Sequence, residues 1–213
     1  MSSEERQEWL ETRRGVLTAS RIAPLLDGSQ RAVQRLLETL RRERDAGPGG
    51  WMEGQDAGGA DIDRGREHEH RAVALFELVS GLDVERPKLI LHPQLHRVGA
   101  TPDGLVASES AVVEVKCPRA AKHMATWAYG MPREHMAQVQ MEIFCCRHLG
   151  VDRAFFLSYC EQVERSRQLF EQVIMIDEDW QRRIALAVPP FIARLTGAET
   201  IPQPRLDDIP ALF

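Results

Sequence analysis

The residues best suited to chemistry are Thr101-Pro102-Asp103-Gly104, followed after a short gap by Glu114-Val115-Lys116. The gap from Asp103 to Glu114 suits two neighbouring strands joined by a short turn. Side chains alternate along a strand, so Glu114 and Lys116 point to one face. If the strands pair, an acid from one meets an acid and a lysine from the next. Glu114 is surrounded by Ala111, Val112, Val113 and Val115. A charged pair in so apolar a strand is costly unless partnered or bound to a metal. Carboxylate oxygens suit Mg2+ or Mn2+ far better than zinc. Such an ion polarises a phosphoryl group and lowers the pKa of a bound water. On these residues alone, an ordinary buried ion pair is as good a reading as a metal site.

The lysine is informative by its rarity. Of 27 basic residues, 24 are arginine and only Lys88, Lys116 and Lys122 are lysine. A lysine can orient a water as an ammonium or deprotonate it once neutral, whereas a guanidinium does not give up its proton. Two other stretches offer partners. Gly65-Arg66-Glu67-His68-Glu69-His70 supplies an acid near the start of a helix, and Gln138-Val139-Gln140 supplies an amide. The H-x-H pair lacks a third ligand at zinc spacing, so both histidines read as solvated.

Helices and strands must position these groups. Residues 4–13 read as a short helix. Thr18 and Ser20 open an apolar-periodic stretch that ends at Asp27-Gly28, and Ser29 caps a helix carrying Val33, Leu36, Leu37 and Leu40. The arginines around that stripe read as a solvated face. Residues 46–60 hold six glycines and a proline and read as a loop, without the G-K-[ST] of a phosphate loop. A helix follows over 64–80, stopped by Gly81. From about 83 to 117 the period changes to short β-type runs. His135 to His148 reads as helix, Phe155–Tyr159 and Gln172–Ile176 as strands. Asp177 caps a last helix through Leu195, interrupted at Pro189-Pro190. The order predicts an α/β (α+β) fold with a central mixed β-sheet flanked by helices. One domain over 1–213 is expected: a helical part over 1–80, a sheet core over about 83–176, and a helix and tail over 177–213.

Composition narrows the class. The 213 residues are 43% apolar and 28% charged, as in an ordinary globular protein. The longest apolar run is far short of the ~20 residues a membrane span requires, and the polar start is no signal peptide. Four cysteines without C-x-x-C spacing suggest reduced thiols and a cytoplasmic setting. A net charge of −5 argues mildly against a nucleic-acid partner. It does so only as a total, since nine arginines face eight acids in the first 45 residues.

Taken in order, the motifs resemble the phage lambda exonuclease and YqaJ-type viral recombinase family of the PD-(D/E)xK nuclease superfamily. They are Trp9-x-x-x-Arg13-Arg14-Gly15-Val16-Leu17-Thr18-Ala19-Ser20, Gly65-x-x-x-Glu69, Leu75-Phe76-Glu77 and Thr101-Pro102-Asp103-Gly104-Leu105. Glu114-Val115-Lys116-Cys117-Pro118 and Met136-Ala137-Gln138-Val139-Gln140 complete the set. The resemblance implies a restriction-endonuclease-like core and a 5′-to-3′ exonuclease acting on double-stranded DNA ends. Its product would be a 3′ single strand for an annealing protein. It implies Mg2+, with Mn2+ as an alternative and two ions per site, held by Glu69, Asp103, Glu114 and the Val115 carbonyl. Lys116 would handle the attacking water and Gln138 would help position it or the lysine. Arg13, Ser20 and Thr101 would hold the 5′-terminal phosphate, Ile62 would wedge the terminal base pair, and Lys122 would line the DNA path. Family members form homotrimer rings. His135 stands where the family often has Tyr and is given no role. The alternatives are another PD-(D/E)xK endonuclease or RecB-like nuclease, and a DNA-binding protein without activity.

Overall fold

The computed structural model describes residue 8 and residues 11–46 and 60–198, the last range without the side chains of 60–67. The helix expected over 4–13 falls largely outside these residues, as does the glycine-rich loop over 46–60.

The strands form two mixed sheets. In the first, β1 (Leu17–Thr18), β2 (Ile90–Leu91) and β3 (Val98–Ala100) lie in the order β1-β3-β2. β1 runs parallel to β3, with Leu17 opposite Val98, and β2 runs antiparallel to it. The second sheet has the order β4-β5-β6-β7, from Gly104–Val106, Ala111–Lys116, Arg153–Tyr159 and Leu169–Met175. Only β5 and β6 are parallel there, and a parallel pair needs a long crossover. α4 (Ala120–Tyr129) and α5 (Met136–Cys146) supply it. The remaining helices are α1 (Ala23–Asp27), α2 (Gln30–Asp45), α3 (Ala60–Ser80) and α6 (Glu178–Thr196).

β5 is the strand the core is built around, since all five residues from Ala111 to Val115 are buried. Its Ala111, Val113 and Val115 pack with Ala72, Val73 and Phe76 of α3. Val112 faces the larger cluster, which includes Val139 and Ile143 of α5. Glu114 and Lys116 alternate with Val113 and Val115, so they share the Val112 face, toward α5. Residues 101–103 link β3 of one sheet to β4 of the other. The T-P-D-G turn therefore joins the two sheets. Gly104 is required there, because a Cβ would stand 2.3 Å from Val84 Cγ1.

Three sequence expectations are corrected. Leu17–Thr18 is strand rather than the start of a helix; a 3-10 turn, Ala19–Arg21, separates it from α1. α6 runs unbroken through Pro189 and Pro190. The prolines remove backbone donors, but Val188, Pro189, Phe191 and Ile192 are buried and hold the helix onto the core. The run near Val84 is only a bridge between Glu85 and Leu105. Ser29 does cap α2, accepting from Ala32 N. Gly81 ends α3 with φ +73°, a conformation open to glycine.

Candidate active site

Asp103 and β5 meet as the spacing requires. Asp103 N donates to the Val113 carbonyl at 2.9 Å, and Val115 N donates to Asp103 Oδ2 at 2.7 Å. N–H and C=O of one strand residue share a side, so the Val115 carbonyl lies on the edge that Asp103 covers. Glu114 is 2% exposed, and Lys116 Nζ donates to its Oε1. α5 closes the group from above. Gln138 Nε2 donates to Glu114 Oε1 at 2.7 Å, and Gln138 Oε1 accepts from Lys116 Nζ at 3.3 Å.

Sequence reading missed a fourth acid. Glu142 lies one turn beyond Gln138, is 1% exposed, and accepts from Gln138 Nε2 at 3.0 Å. Its Oε2 is buried without a hydrogen-bond partner. The second amide of the Gln138-Val139-Gln140 stretch serves the scaffold: Gln140 Nε2 donates to the Met175 carbonyl, and its Oε1 accepts from Asp177 N and Gln181 Nε2.

The site carries more negative charge than its one lysine can balance. Burial, then Glu114 and Glu69, push the Asp103 carboxyl well above the usual range, against the Val115 amide, which lowers it. Burial and Glu114 push Glu142 well up too. Burial pulls the Lys116 ammonium down, but Glu114, Asp103 and Glu142 outweigh it and hold it above its ordinary value. Lys116 is therefore held charged, as a hydrogen-bond donor. Among the described residues, no three His, Cys, Asp or Glu side chains converge closely enough to hold an ion unaided. The donor set nevertheless fits a hard cation: it is all oxygen, buried and over-negative, with one orphaned carboxylate oxygen. Mg2+ keeps several waters and needs only one or two carboxylates from the protein. Asp103, Glu114 and the Val115 carbonyl are the nearest donors, with Glu69 on α3 acting on Asp103 through charge. The histidines of the H-x-H pair lie outside this group. His68 leans on the Tyr159 ring with centroids 6.1 Å apart, and His70 pairs with Arg86.

A second cluster gathers beside β1. Arg13 directs one guanidinium nitrogen to Thr18 Oγ1 and Ser20 Oγ, both at 3.3 Å, and the two hydroxyls are 3.2 Å apart. Thr101 lies two residues past Gly99, as Ser20 lies two past Thr18, and Thr18 and Gly99 are partners in register. Its Oγ1 is buried and makes no hydrogen bond. The loop under this cluster hangs on α2. Buried Glu43 accepts from Gly15 N at 3.2 Å and from Arg21 Nη1 at 2.8 Å. Gly15 has φ +63°, and a Cβ there would press on Arg44 Cβ at 2.9 Å. Thr18 and Glu43 were not singled out in the sequence, although Thr18 is part of the T-A-S motif. Lys122 is exposed on α4, within electrostatic reach of His135. The Ile62 side chain lies outside the described ones.

Two mixed sheets flanked by helices, with an acid turn facing an E-x-K strand, define a PD-(D/E)xK core. The chain belongs to the YqaJ-like viral recombinase domain family, whose model matches residues 8–148. No curated protein sequence matches it. Among solved structures it is similar to an alkaline exonuclease, LHK-Exo, from Laribacter hongkongensis. The two are 30% identical with a TM-score of 0.77, over 89% of this chain and 92% of that one. LHK-Exo in complex with dAMP matches over the same shares at 30% identity and a TM-score of 0.78. A phage-related exonuclease from Haemophilus somnus 129PT shares the fold: 12% identity, TM-score 0.57, 81% of this chain and 85% of that one.

Proposed function

We propose that this protein is a Mg2+-dependent DNA exonuclease that digests one strand of linear duplexes from the 5′ end. The observation that carries the reading is the Glu114–Lys116–Gln138 network beside Asp103, all within the residues 8–148 that the family model matches. Asp103, Glu114 and the Val115 carbonyl would hold the metal, with Glu69 adding charge. When bound, the ion supplies charge neutralisation at the phosphoryl oxygens and a water of lowered pKa.

The chain's own residues do the rest. Lys116 donates to the attacking water or to a phosphoryl oxygen and offsets the charge that builds there. Gln138 holds the lysine in place. Water oxygen bonds to phosphorus as the P–O3′ bond breaks; the water gives up one proton and the departing O3′ takes one up, so the released nucleotide leaves with a 3′-hydroxyl. The shortened strand then carries a new 5′-phosphate. Arg13, Ser20 and Thr101, with Thr18, are suited to that group: a forked cation and hydroxyl donors, one of them unpaired. Capture of each new end keeps the enzyme in register. The dAMP bound by LHK-Exo is a nucleotide of the kind this cleavage releases. The remaining 3′ single strand is what a single-strand annealing protein takes up, and a homotrimer around the duplex is the assembly that fits progressive digestion. Ile62 as the wedge and Lys122 on the DNA path belong to the same reading.

A digestion assay tests this directly, using linear duplexes labelled at either end, with and without 5′-phosphate, in Mg2+ and in EDTA. Release of 5′-label first, faster from phosphorylated ends and abolished by EDTA, is expected. Release from 3′ ends or cutting of circular duplex would overturn it.

A further inference from the structure

We propose that Glu142 is a positioning residue: it fixes which way round the Gln138 amide stands and, through that amide, where the Lys116 ammonium points. The inference rests on the reading of this site given above.

Gln138 and Glu142 are four apart on α5, so their side chains leave the same face one above the other. An amide nitrogen has two hydrogens. Here one goes to Glu114 Oε1 at 2.7 Å and the other to Glu142 Oε1 at 3.0 Å. With both used, the amide oxygen has one direction left, toward Lys116 Nζ at 3.3 Å. Turning the amide over would set its oxygen against Glu114 Oε1 and its nitrogen against the Lys116 ammonium, and both of those contacts would become repulsive.

Glu114 is a poor lock by itself. The same oxygen, Oε1, serves both Lys116 and Gln138, so any shift of that carboxylate releases both. Glu142 is anchored on a different element: it accepts from Gln138 Nε2 and its carboxyl also lies against that of Glu114. Lys116 has a flexible four-carbon stem, so its head group goes where its acceptors are. A fixed Gln138 oxygen therefore fixes the lysine.

Stability does not explain this acid. Its Oε2 is buried without a partner, and a buried, half-satisfied carboxylate costs free energy relative to an apolar side chain of similar size.

The test measures single-turnover cleavage of a 5′-phosphorylated blunt duplex at saturating Mg2+. Glu142→Leu and Glu142→Gln are each made in the native chain and in Gln138→Ala. Glu142→Leu, which has no acceptor, is expected to slow cleavage about tenfold, the scale of one hydrogen bond to a charged group. Affinity for the duplex in EDTA and the urea midpoint should not fall. Glu142→Gln keeps an oxygen acceptor and should recover most of the rate. In the Gln138→Ala background, Glu142→Leu should cost nothing further, because its effect runs through that amide. If Glu142→Leu does not fold, Glu142→Met serves the same comparison. Native-speed cleavage by Glu142→Leu, or an equal loss in both backgrounds, would overturn the proposal. Native-speed cleavage by Gln138→Ala would instead show that the reading of the site itself fails.

Discussion

The acid–lysine cluster on β5 and the arginine–hydroxyl cluster beside β1 lie on different sheets and hold charge in opposite ways. The first sets Glu69, Asp103, Glu114 and Glu142 against one ammonium, in a strand otherwise made of alanine and valine. The second brings the Arg13 guanidinium to two hydroxyls, with a buried hydroxyl beside them at Thr101. The same three-residue link, 101–103, carries Thr101 at one end and Asp103 at the other. On the proposed reading, a cation site and an anion site would lie at the two ends of one turn, which suits a phosphodiester with a terminal phosphate close by. The comparison also explains how a chain of net charge −5 can engage DNA. Local potential at the phosphates matters, not the total, and a metal bound as proposed would offset several of the acids.

The comparison is broken most severely at Lys116. Lys116→Ala removes the lysine from the negative cluster and should lower cleavage by about 10²- to 10³-fold, the scale of losing one preorganised donor to a developing charge. Duplex binding in EDTA should persist, because the β1 cluster is untouched. Cleavage assays and binding titrations on one preparation check this. Retained cleavage would remove Lys116 from the chemistry.

Arg13 breaks the other half. Arg13→Ala should leave cleavage of 5′-hydroxyl ends near the native rate while weakening the preference for 5′-phosphorylated ends roughly ten- to a hundredfold. That is the worth of charge-assisted hydrogen bonds to a phosphate. On the proposed reading the arginine binds the end rather than the bond that breaks, so the effect should fall on KM rather than kcat. An unchanged preference would leave the β1 cluster without its assigned ligand.

How far these clusters could be read from sequence follows from what kind of signal each residue leaves. Glu114 and Lys116 were legible because a two-residue period in an apolar strand puts both on one face whatever packs above them. Glu142 was not, because it sits in a helix where nearly every residue from Ala137 to Cys146 is buried, so periodicity cannot separate one face from another. α4 was missed because its buried residues are polar. His123 accepts from the Ser158 hydroxyl at 2.8 Å and donates to the Arg167 carbonyl at 2.7 Å, and Thr126 is also buried. Trp127 and Tyr129 are exposed instead. A rule that places apolar residues inside reads that helix backwards. β1 and β2 are two residues each and exist only through pairing with β3, which no local propensity reveals.

The smallest expected effect sharpens the comparison from the side of the first sheet. His92 follows β2, and its Nδ1 accepts from Gln94 N and Leu95 N, both at 3.2 Å. Its ring stacks on Phe144 of α5 with centroids 4.9 Å apart. The turn it closes leads into β3 and so to Thr101. Protonating Nδ1 would remove both acceptor contacts. Burial, helped by His148, holds His92 down at about 4, against 6.5 for the free side chain. Its contribution is therefore present in full above pH 6.5. As pH falls from 6.5 to 4 the unfolded chain binds a proton that the folded one refuses, and stability declines across that window. Below pH 4 both states are protonated and the decline from this group ends. His92→Asn keeps an oxygen acceptor and does not titrate. Thermal melts at steps from pH 7 to pH 4 should show a shallower loss in the variant, with the carboxylates of the β5 cluster titrating alike in both proteins. Parallel slopes would mean that the turn before β3 is held by the ring stack and the ladder, and that the β1 cluster carries no pH dependence of its own.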